Sequence, residues 1–181
     1  MDRPVALSGT PGTGKSAVAT ALRPRWTSIE VADLAVAVRA GRRVAPAVEV
    51  DLRRLRRRLS DRTVLAGVDL LVGHLAHLLP LREVVLLRCH PTELGLRLAR
   101  ARRGSPSDRR ENSTAEATDV LLVEALRAGR TVWEVDTTGR TVAGVAREVE
   151  RRLRDRGPSS YGRIRWLEDS SVTAHLLDPP R

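Results

Sequence analysis

Residues 9–16 read Gly9-Thr10-Pro11-Gly12-Thr13-Gly14-Lys15-Ser16, which matches the phosphate-binding pattern G-x-x-x-x-G-K-[ST]. An apolar run, residues 5–8, precedes the motif, and a segment of helical spacing follows it. This context suits phosphate binding, because the glycines let backbone N–H groups turn toward phosphate oxygens at the start of a helix. A chance match in a chain of this composition has a probability on the order of one in a thousand. We therefore expect an ATP site here.

The residue types of this loop predict individual roles within the site. Of 32 basic residues only Lys15 is a lysine, and its slim ammonium suits a place where a guanidinium fork would not substitute. We expect Lys15 to reach the β- and γ-phosphates, and the Ser16 hydroxyl to coordinate the Mg²⁺ that bridges them. The residues of this segment expected to bind the nucleotide are Gly9, Gly12, Thr13, Gly14, Lys15, Ser16 and Ala17.

Short apolar runs alternate with longer segments of helical spacing along the whole chain. This pattern predicts the α/β class, a parallel sheet flanked by helices as in P-loop NTPases. The predicted strands are residues 5–8, 29–31, 69–72, 83–88 and 131–135, and the predicted helices are residues 15–22, 50–59, 92–103, 111–128 and 141–156. From Gly157 the sequence Gly-Pro-Ser-Ser-Tyr-Gly indicates a linker, so residues 157–181 are expected to form a partly disordered tail.

The composition limits the classes of protein. The length of 181 residues fits one domain, and no apolar run approaches the ~20 residues that span a bilayer. We therefore expect a soluble, cytoplasmic protein with no membrane contact. Cys89, the only cysteine, lies in an apolar run, which indicates a buried core residue more than a nucleophile.

A net charge of +10 would ordinarily indicate a polyanionic partner such as RNA. The near-total preference for arginine over lysine points instead to a compositional bias of the chain, and with no Phe and one Tyr it lacks an aromatic platform for bases. In the helix predicted from residue 50, leucines occupy one face and arginines the remainder. A solvated face and an RNA or phosphate site are both open interpretations of these arginines.

Several segments beyond the loop carry a recognisable pattern. They are residues 73–80 (Gly-His-Leu-Ala-His-Leu-Leu-Pro), 85–91, 97–98, 103–104, 111–125 and 136–139, with the ending at residues 161–168. Together with the loop they resemble the archaeal and eukaryotic-nuclear adenylate kinases, a family also described as ribosome-assembly factors. The resemblance extends over most of the chain.

The resemblance implies a nucleoside-monophosphate kinase domain at residues 1–156, with an arm for the monophosphate at about residues 30–53 and a short lid at about residues 102–112. It implies transfer of the ATP γ-phosphoryl group to AMP, with Mg²⁺, and hydrolysis of ATP when the lid closes over water. A lid arginine would close over ATP, namely Arg103, or Arg102 if the register shifts by one. The family also implies late maturation of the small ribosomal subunit, with a platform ribosomal protein and pre-ribosomal RNA as partners.

His74 falls where the family carries a histidine, which implies a role near the γ-phosphate. Two alternatives remain open for this region. His74 and His77 could be half-buried helical residues, or their i, i+3 spacing could hold a metal ion.

The chain departs from the family at Val72, where relatives usually carry Asp or Glu to organise Mg²⁺. Asp69 would face the other side of the strand and cannot take over. Either other acids such as Asp33 or Asp51 hold Mg²⁺ through water together with Ser16, or catalysis is weakened.

The predicted arm is also unusual, because it lacks the acidic stretch of relatives and offers Arg39, Arg42 and Arg43. These arginines could grip the monophosphate or could be solvated. Three rival functions follow from these departures: an assembly ATPase with little kinase turnover, a P-loop kinase for another small molecule, and an RNA-binding protein without enzymatic activity.

Overall fold

Five apolar segments form one parallel sheet, as the sequence predicts. The computed structural model describes residues 4–23, 25–45 and 47–177. The sheet strands are β1 Val5–Gly9, β2 Ser28–Glu30, β5 Leu70–Val72, β6 Glu83–Arg88 and β7 Thr131–Asp136, in the order β2-β5-β1-β6-β7. A separate antiparallel hairpin consists of β3 Gly41–Val44 and β4 Ala47–Val50. The predicted α/β class with a five-stranded parallel sheet is confirmed.

Helices cover both faces of this sheet. They are α1 Lys15–Leu22, α2 Val31–Ala37, α3 Leu52–Arg58, α4 Pro91–Arg100, α5 Pro106–Ala117, α6 Val120–Arg127, α7 Val142–Asp155 and α8 Ser170–Leu177. Helices α1 and α7 share one buried cluster with β1 and β5 through residues such as Val18, Leu7 and Val72. Helices α2, α3 and α6 pack on the opposite face through Leu34, Leu55 and similar side chains. Because all five strands are parallel, their carboxyl ends lie along one edge of the sheet.

The prediction of one helix over residues 111–128 is wrong. The chain forms two helices, α5 and α6, separated at Asp119, whose backbone is left-handed with φ 56°. An L-residue in this conformation interrupts a right-handed helix. The Asp119 carboxylate pairs here with Arg88 of β6, a tertiary contact that helical periodicity does not reveal.

The sequence analysis also did not predict α2, the hairpin or α8. Helix α2 begins at Val31, the last residue of a predicted strand, so a short apolar run was assigned to the strand alone. Residues 157–177 contain a bridge from Ser160 to Trp133 of β7 and the helix α8, which contacts α4 and α5. The division into a kinase domain and a tail stays a prediction, and residues 178–181 lie outside the described residues.

A single buried guanidinium joins several of these elements. Arg88, the last residue of β6, is 2% exposed and forms ion pairs with Glu116 of α5, Glu134 of β7 and Asp119. Glu134 in turn accepts a hydrogen bond from the Gly162 amide at 2.7 Å. The sheet, the α5–α6 junction and the C-terminal segment therefore meet at one charged centre.

Two expectations from composition can be compared with the structure. Cys89 is fully buried, and this burial raises the pKa of its thiol to about 12, which confirms a core residue over a nucleophile. Within residues 4–23, 25–45 and 47–177, no helix is long and apolar enough to cross a membrane.

Replacing Arg88 by methionine tests the charged centre. The variant leaves the buried carboxylates of Glu116 and Glu134 without their cation, so the free energy of unfolding in urea should fall by about 3–5 kcal/mol. Arg25→Met is the matched control, because Arg25 is 68% exposed and pairs with Glu150 at the surface. That change should cost about 1 kcal/mol or less. Equal losses in the two variants would contradict the central role of Arg88.

Candidate active site

The backbone of the phosphate-binding loop depends on three glycines. Gly9, Gly12 and Gly14 have φ values of 148°, 96° and 95°, which side chains rarely tolerate. At Gly9 the space is also closed, because a Cβ atom would lie 2.5 Å from the carbonyl oxygen of Leu87 on β6. The loop therefore passes directly against the central strands and opens at the first turn of α1.

Lys15 lies inside this loop. Its Nζ donates hydrogen bonds to the carbonyl oxygens of Gly9 at 2.7 Å and Thr10 at 2.9 Å. Burial lowers the pKa of Lys15 to about 8, while the carboxylates of Glu30 and Glu116 act against this shift. A partly desolvated ammonium held at the rim of a loop is placed to gain strongly from phosphate oxygens.

The two threonines of the loop stabilise its shape. Thr10 donates from Oγ1 to the Glu116 carboxylate at 2.6 Å, and Thr13 donates from both Oγ1 and its amide to the carbonyl oxygen of Thr10. Both are buried. Ser16 and Ala17 are exposed in the first turn of α1, where a ligand could reach them. The assignment of Thr13 as a nucleotide ligand stays a prediction, because its hydroxyl and amide both form hydrogen bonds within the loop.

The two candidate lid arginines differ in their relation to Lys15. Both lie between α4 and α5, and Arg102 has a left-handed backbone with φ 50°. The charge of Arg103 contributes to the lowered pKa of Lys15, which places its guanidinium near the loop. Arg97 on α4 instead donates to the Thr137 carbonyl at 2.7 Å and to Glu93, so it stabilises the turn after β7.

The histidine pair is divided between two environments. His77 is 2% exposed, and its ring nitrogens contact Ser8 Oγ at 2.9 Å and Glu124 Oε2 at 2.8 Å. Both ring nitrogens of His77 are therefore engaged, and no group of three or more potential metal-ligating residues occurs in the described part of the chain. These contacts favour a buried structural role for His77 over the metal interpretation of the pair. His74 follows β5 and is exposed as a whole residue, while partial desolvation of its ring and the Lys15 charge lower its pKa.

The acids considered for Mg²⁺ are engaged elsewhere. Asp69 accepts a hydrogen bond from the Thr27 amide at 2.8 Å, at the opposite end of β5. Asp51 caps α3 by accepting from the Arg54 amide at 2.9 Å. Asp33 pairs with Arg43 at the surface, 3.5 Å apart. Glu30, whose charge acts on Lys15 from the end of β2, was not among the acids predicted from the sequence. A parallel alignment of β2 with residues 70–72 would have placed Glu30 at the carboxyl edge of the sheet.

Two oxygen donors near the phosphate-binding loop suit the binding of a nucleotide with Mg²⁺. The Ser16 hydroxyl and the Glu30 carboxylate are hard ligands of the type that Mg²⁺ prefers, and Mg²⁺ commonly keeps several waters beside such ligands. The loop amides and Lys15 supply the complementary charge for the phosphates. The local chemistry is consistent with ATP and Mg²⁺ at the carboxyl edge of the sheet.

Arg42 and Arg43 of the predicted arm are paired with acids and do not form a preformed phosphate-binding site. Arg42 pairs with Glu49 at 3.0 Å across the hairpin, and Arg43 pairs with Asp33. All four side chains are largely exposed. Arg39 has a left-handed backbone with φ 57° at the end of α2. In this structure Arg42 and Arg43 form solvated ion pairs.

Burial of His77 predicts a pH dependence of stability. The pKa of His77 is lowered from the ordinary value of 6.5, chiefly because its ring is desolvated. The unfolded chain then binds more protons below about pH 6.5, so stability falls as the pH drops through that value. His77→Gln should flatten the slope of unfolding free energy against pH between about pH 7 and about pH 5.5, by at most ~1.4 kcal/mol per unit. Urea titrations at several pH values measure it, and an unchanged slope would show that His77 does not titrate with unfolding.

Comparison with known proteins places this site in a family. The domain family described as "AAA domain" matches residues 5–119. A protein of Thermococcus onnurineus named "Putative adenylate kinase" is 37% identical over 179 residues, 96% of each chain. A protein of the same name from Pyrococcus abyssi is 35% identical over 170 residues, 91% of each chain.

Solved structures agree on the fold. An uncharacterized protein of Eubacterium ventriosum superposes with a TM-score of 0.54 over 84% of this chain and 99% of that chain, at 9% identity. That likeness shows the fold alone. The sequence relatives extend over nearly the whole chain at 35–37% identity, so this protein belongs to the adenylate kinase family that its motifs resemble.

Proposed function

We propose that the chain catalyses reversible transfer of the γ-phosphoryl group of ATP to a nucleoside monophosphate, with AMP as the first acceptor to test. The observation that carries this proposal is the placement of Lys15 and the loop glycines at the carboxyl end of β1 in a parallel sheet, where the charge of Arg103 also acts on Lys15. In such sheets ligands bind outside the carboxyl ends of the strands. The names of the archaeal relatives support a kinase over other uses of the same loop.

The proposed chemistry requires positioning and charge stabilisation more than covalent catalysis. Loop amides and Lys15 would hold the β- and γ-phosphates, and Arg103 would neutralise charge that develops between donor and acceptor. A phosphate oxygen of AMP bonds to the γ-phosphorus while the bond to the β,γ-bridging oxygen breaks, so ATP and AMP yield two ADP. The Ser16 hydroxyl would be a ligand of bound Mg²⁺, which would supply positive charge to offset the charge of the phosphates.

The lowered pKa of Lys15 fits this role. A pKa of about 8 keeps most of the ammonium protonated at neutral pH, although the site has removed much of its water. Two loop carbonyls accept hydrogen bonds from the ammonium. Phosphate oxygens would replace them as partners, and each charge-assisted hydrogen bond then forms in a site with little competing solvent.

Acceptor recognition rests on the hairpin and on α2 and α3. The surface pairs of Arg42 and Arg43 would have to open before these side chains could bind a monophosphate. Exposed pairs of this kind contribute only about 0–1 kcal/mol, so opening them is not a barrier. A different acceptor small molecule is the corresponding alternative within the same kinase class.

The loss of the family carboxylate at Val72 favours a second candidate function. An ATPase with little kinase turnover would use nucleotide to control binding to partners, for which a platform ribosomal protein and pre-ribosomal RNA are the family-based candidates. The outward arginines of α3 provide a positively charged surface, as binding to RNA requires. They are Arg53, Arg54, Arg56, Arg57 and Arg58. This role stays a prediction from the resemblance.

The decisive measurement compares ADP formation from ATP plus AMP with hydrolysis of ATP alone, in the presence of Mg²⁺. In the wild type, AMP should accelerate ADP formation well above hydrolysis. Lys15→Ala should abolish both activities, and Lys15→Arg should not restore them because the guanidinium does not fit the loop. AMP-independent hydrolysis as the main activity would favour the assembly ATPase, and full function of Lys15→Ala in partner binding would favour a non-enzymatic role.

A matched pair of variants tests the lid assignment. Arg103→Ala should lower kcat by about 10²-fold, the effect of removing one charge-stabilising donor. Arg102→Ala changes the same charge one residue away and should alter kcat by less than about threefold. Steady-state kinetics with ATP and AMP measure both. A larger loss in the Arg102 variant would assign the catalytic role to Arg102. Comparable losses in the two variants would contradict the assignment of that role to Arg103 alone.

A further inference from the structure

Glu30 ends β2 beside Val72, where the family resemblance leads us to expect a carboxylate. In the parallel register Glu30 pairs with Val72 of β5, and Val72 pairs with Leu7 of β1. Side chains in register on parallel strands project from the same face of a sheet. Val72 and Leu7 belong to the buried cluster beneath α1, so Glu30 lies on the face that α1 covers.

The surroundings of Glu30 bring it to the loop. Gly73 follows Val72 with φ 156°, and a Cβ atom there would lie 3.1 Å from the Cβ of Val31. The start of α2 is thus packed directly on the end of β5. The charge of the Glu30 carboxylate also counters the lowering of the pKa of Lys15, the residue that begins α1.

The Glu30 carboxylate has no structural task in this part of the protein. Glu30 occupies the N-cap position of α2, yet its side chain does not cap the helix. Among residues 4–23, 25–45 and 47–177 no hydrogen bond or ion pair to this carboxylate occurs, although the residue is half-buried. Glu116, the other acid near Lys15, is bound by Thr10, Arg88 and Trp166. Glu30 is therefore the available acid at this edge.

We propose that Glu30 supplies the carboxylate that organises the divalent cation of the bound nucleotide, one strand away from the position vacated at Val72. The inference rests on the proposed function, because it assigns a residue to the same nucleotide site. Adjacent strands are about 4.8 Å apart, and glutamate reaches one methylene further than aspartate. Mg²⁺ retains several waters in nucleotide sites, so a carboxylate one strand away can hold it through water.

The test measures binding without turnover. Calorimetry gives the affinity of a non-hydrolysable ATP analogue in Mg²⁺ and in EDTA, and the ratio of the two is the gain due to the metal. Glu30→Gln should reduce this gain by about 10-fold or more, the effect typical of groups that orient a bound metal. Its affinity in EDTA should be unchanged or higher, because a negative charge has left the phosphate site.

Two further variants make the result specific. Asp33→Asn removes an acid three residues away that is paired at the surface with Arg43, and should leave the gain at the wild-type value. The double variant Glu30→Gln with Val72→Asp should recover most of the lost gain by returning a carboxylate to β5. Thermal unfolding shows whether each variant is folded, and Glu30→Asp replaces Glu30→Gln if the latter is not, with a smaller loss expected.

The outcomes separate this inference from the proposed kinase activity. A wild-type gain in folded Glu30→Gln overturns the role of Glu30 whatever the kinase assay shows. A reduced gain supports it even if AMP proves not to be the acceptor, because no acceptor is present in the binding measurement. An equal loss in Asp33→Asn would assign the effect to general charge and would also overturn the proposal.

Discussion

The arrangement of the site depends on one buried carboxylate. Glu116 of α5 accepts hydrogen bonds from the Thr10 hydroxyl of the loop, the Arg88 guanidinium, the Cys89 amide and the Trp166 indole. A buried carboxylate is tolerated only when its lone pairs are satisfied and a cation balances its charge. Both conditions are met for Glu116. This buried carboxylate therefore holds the loop against α5 and the C-terminal segment. The shape of the phosphate site is thus tied to packing far from the motif.

Desolvation governs the charges on the ligand side of this arrangement. Lys15 has exchanged water for two carbonyl oxygens, and its pKa has fallen because these partners do not fully replace hydration. Arg103 adds positive charge and Glu30 opposes it, so the edge of the sheet carries unbalanced cations beside an available acid. A triphosphate with a hydrated divalent cation complements this set of charges better than water does.

The histidines show how similar residues acquire different roles from their position. His77 is enclosed between Ser8 and Glu124, which fixes its ring and joins the strand before the loop to α6. His74, three residues earlier, remains exposed beside Lys15. The i, i+3 spacing alone suggests a shared function for the pair. The tertiary contacts instead assign His77 to the scaffold and leave His74 exposed, where its role near the phosphates stays a prediction.

The sequence alone determined the loop, the parallel sheet and most helices, because each is encoded by local periodicity or by a motif of fixed spacing. It also predicted roles for Lys15 and Ser16 from residue type, and for a lid arginine from the family resemblance, and these roles stay predictions. Only the tertiary structure decided the break at Asp119, the burial of His77 and the place of Glu30 next to Lys15. Those features arise from contacts between segments distant in sequence, Asp119 with Arg88 and Glu30 with Val72 among them, and the periodicity of a single segment carries no record of such pairings.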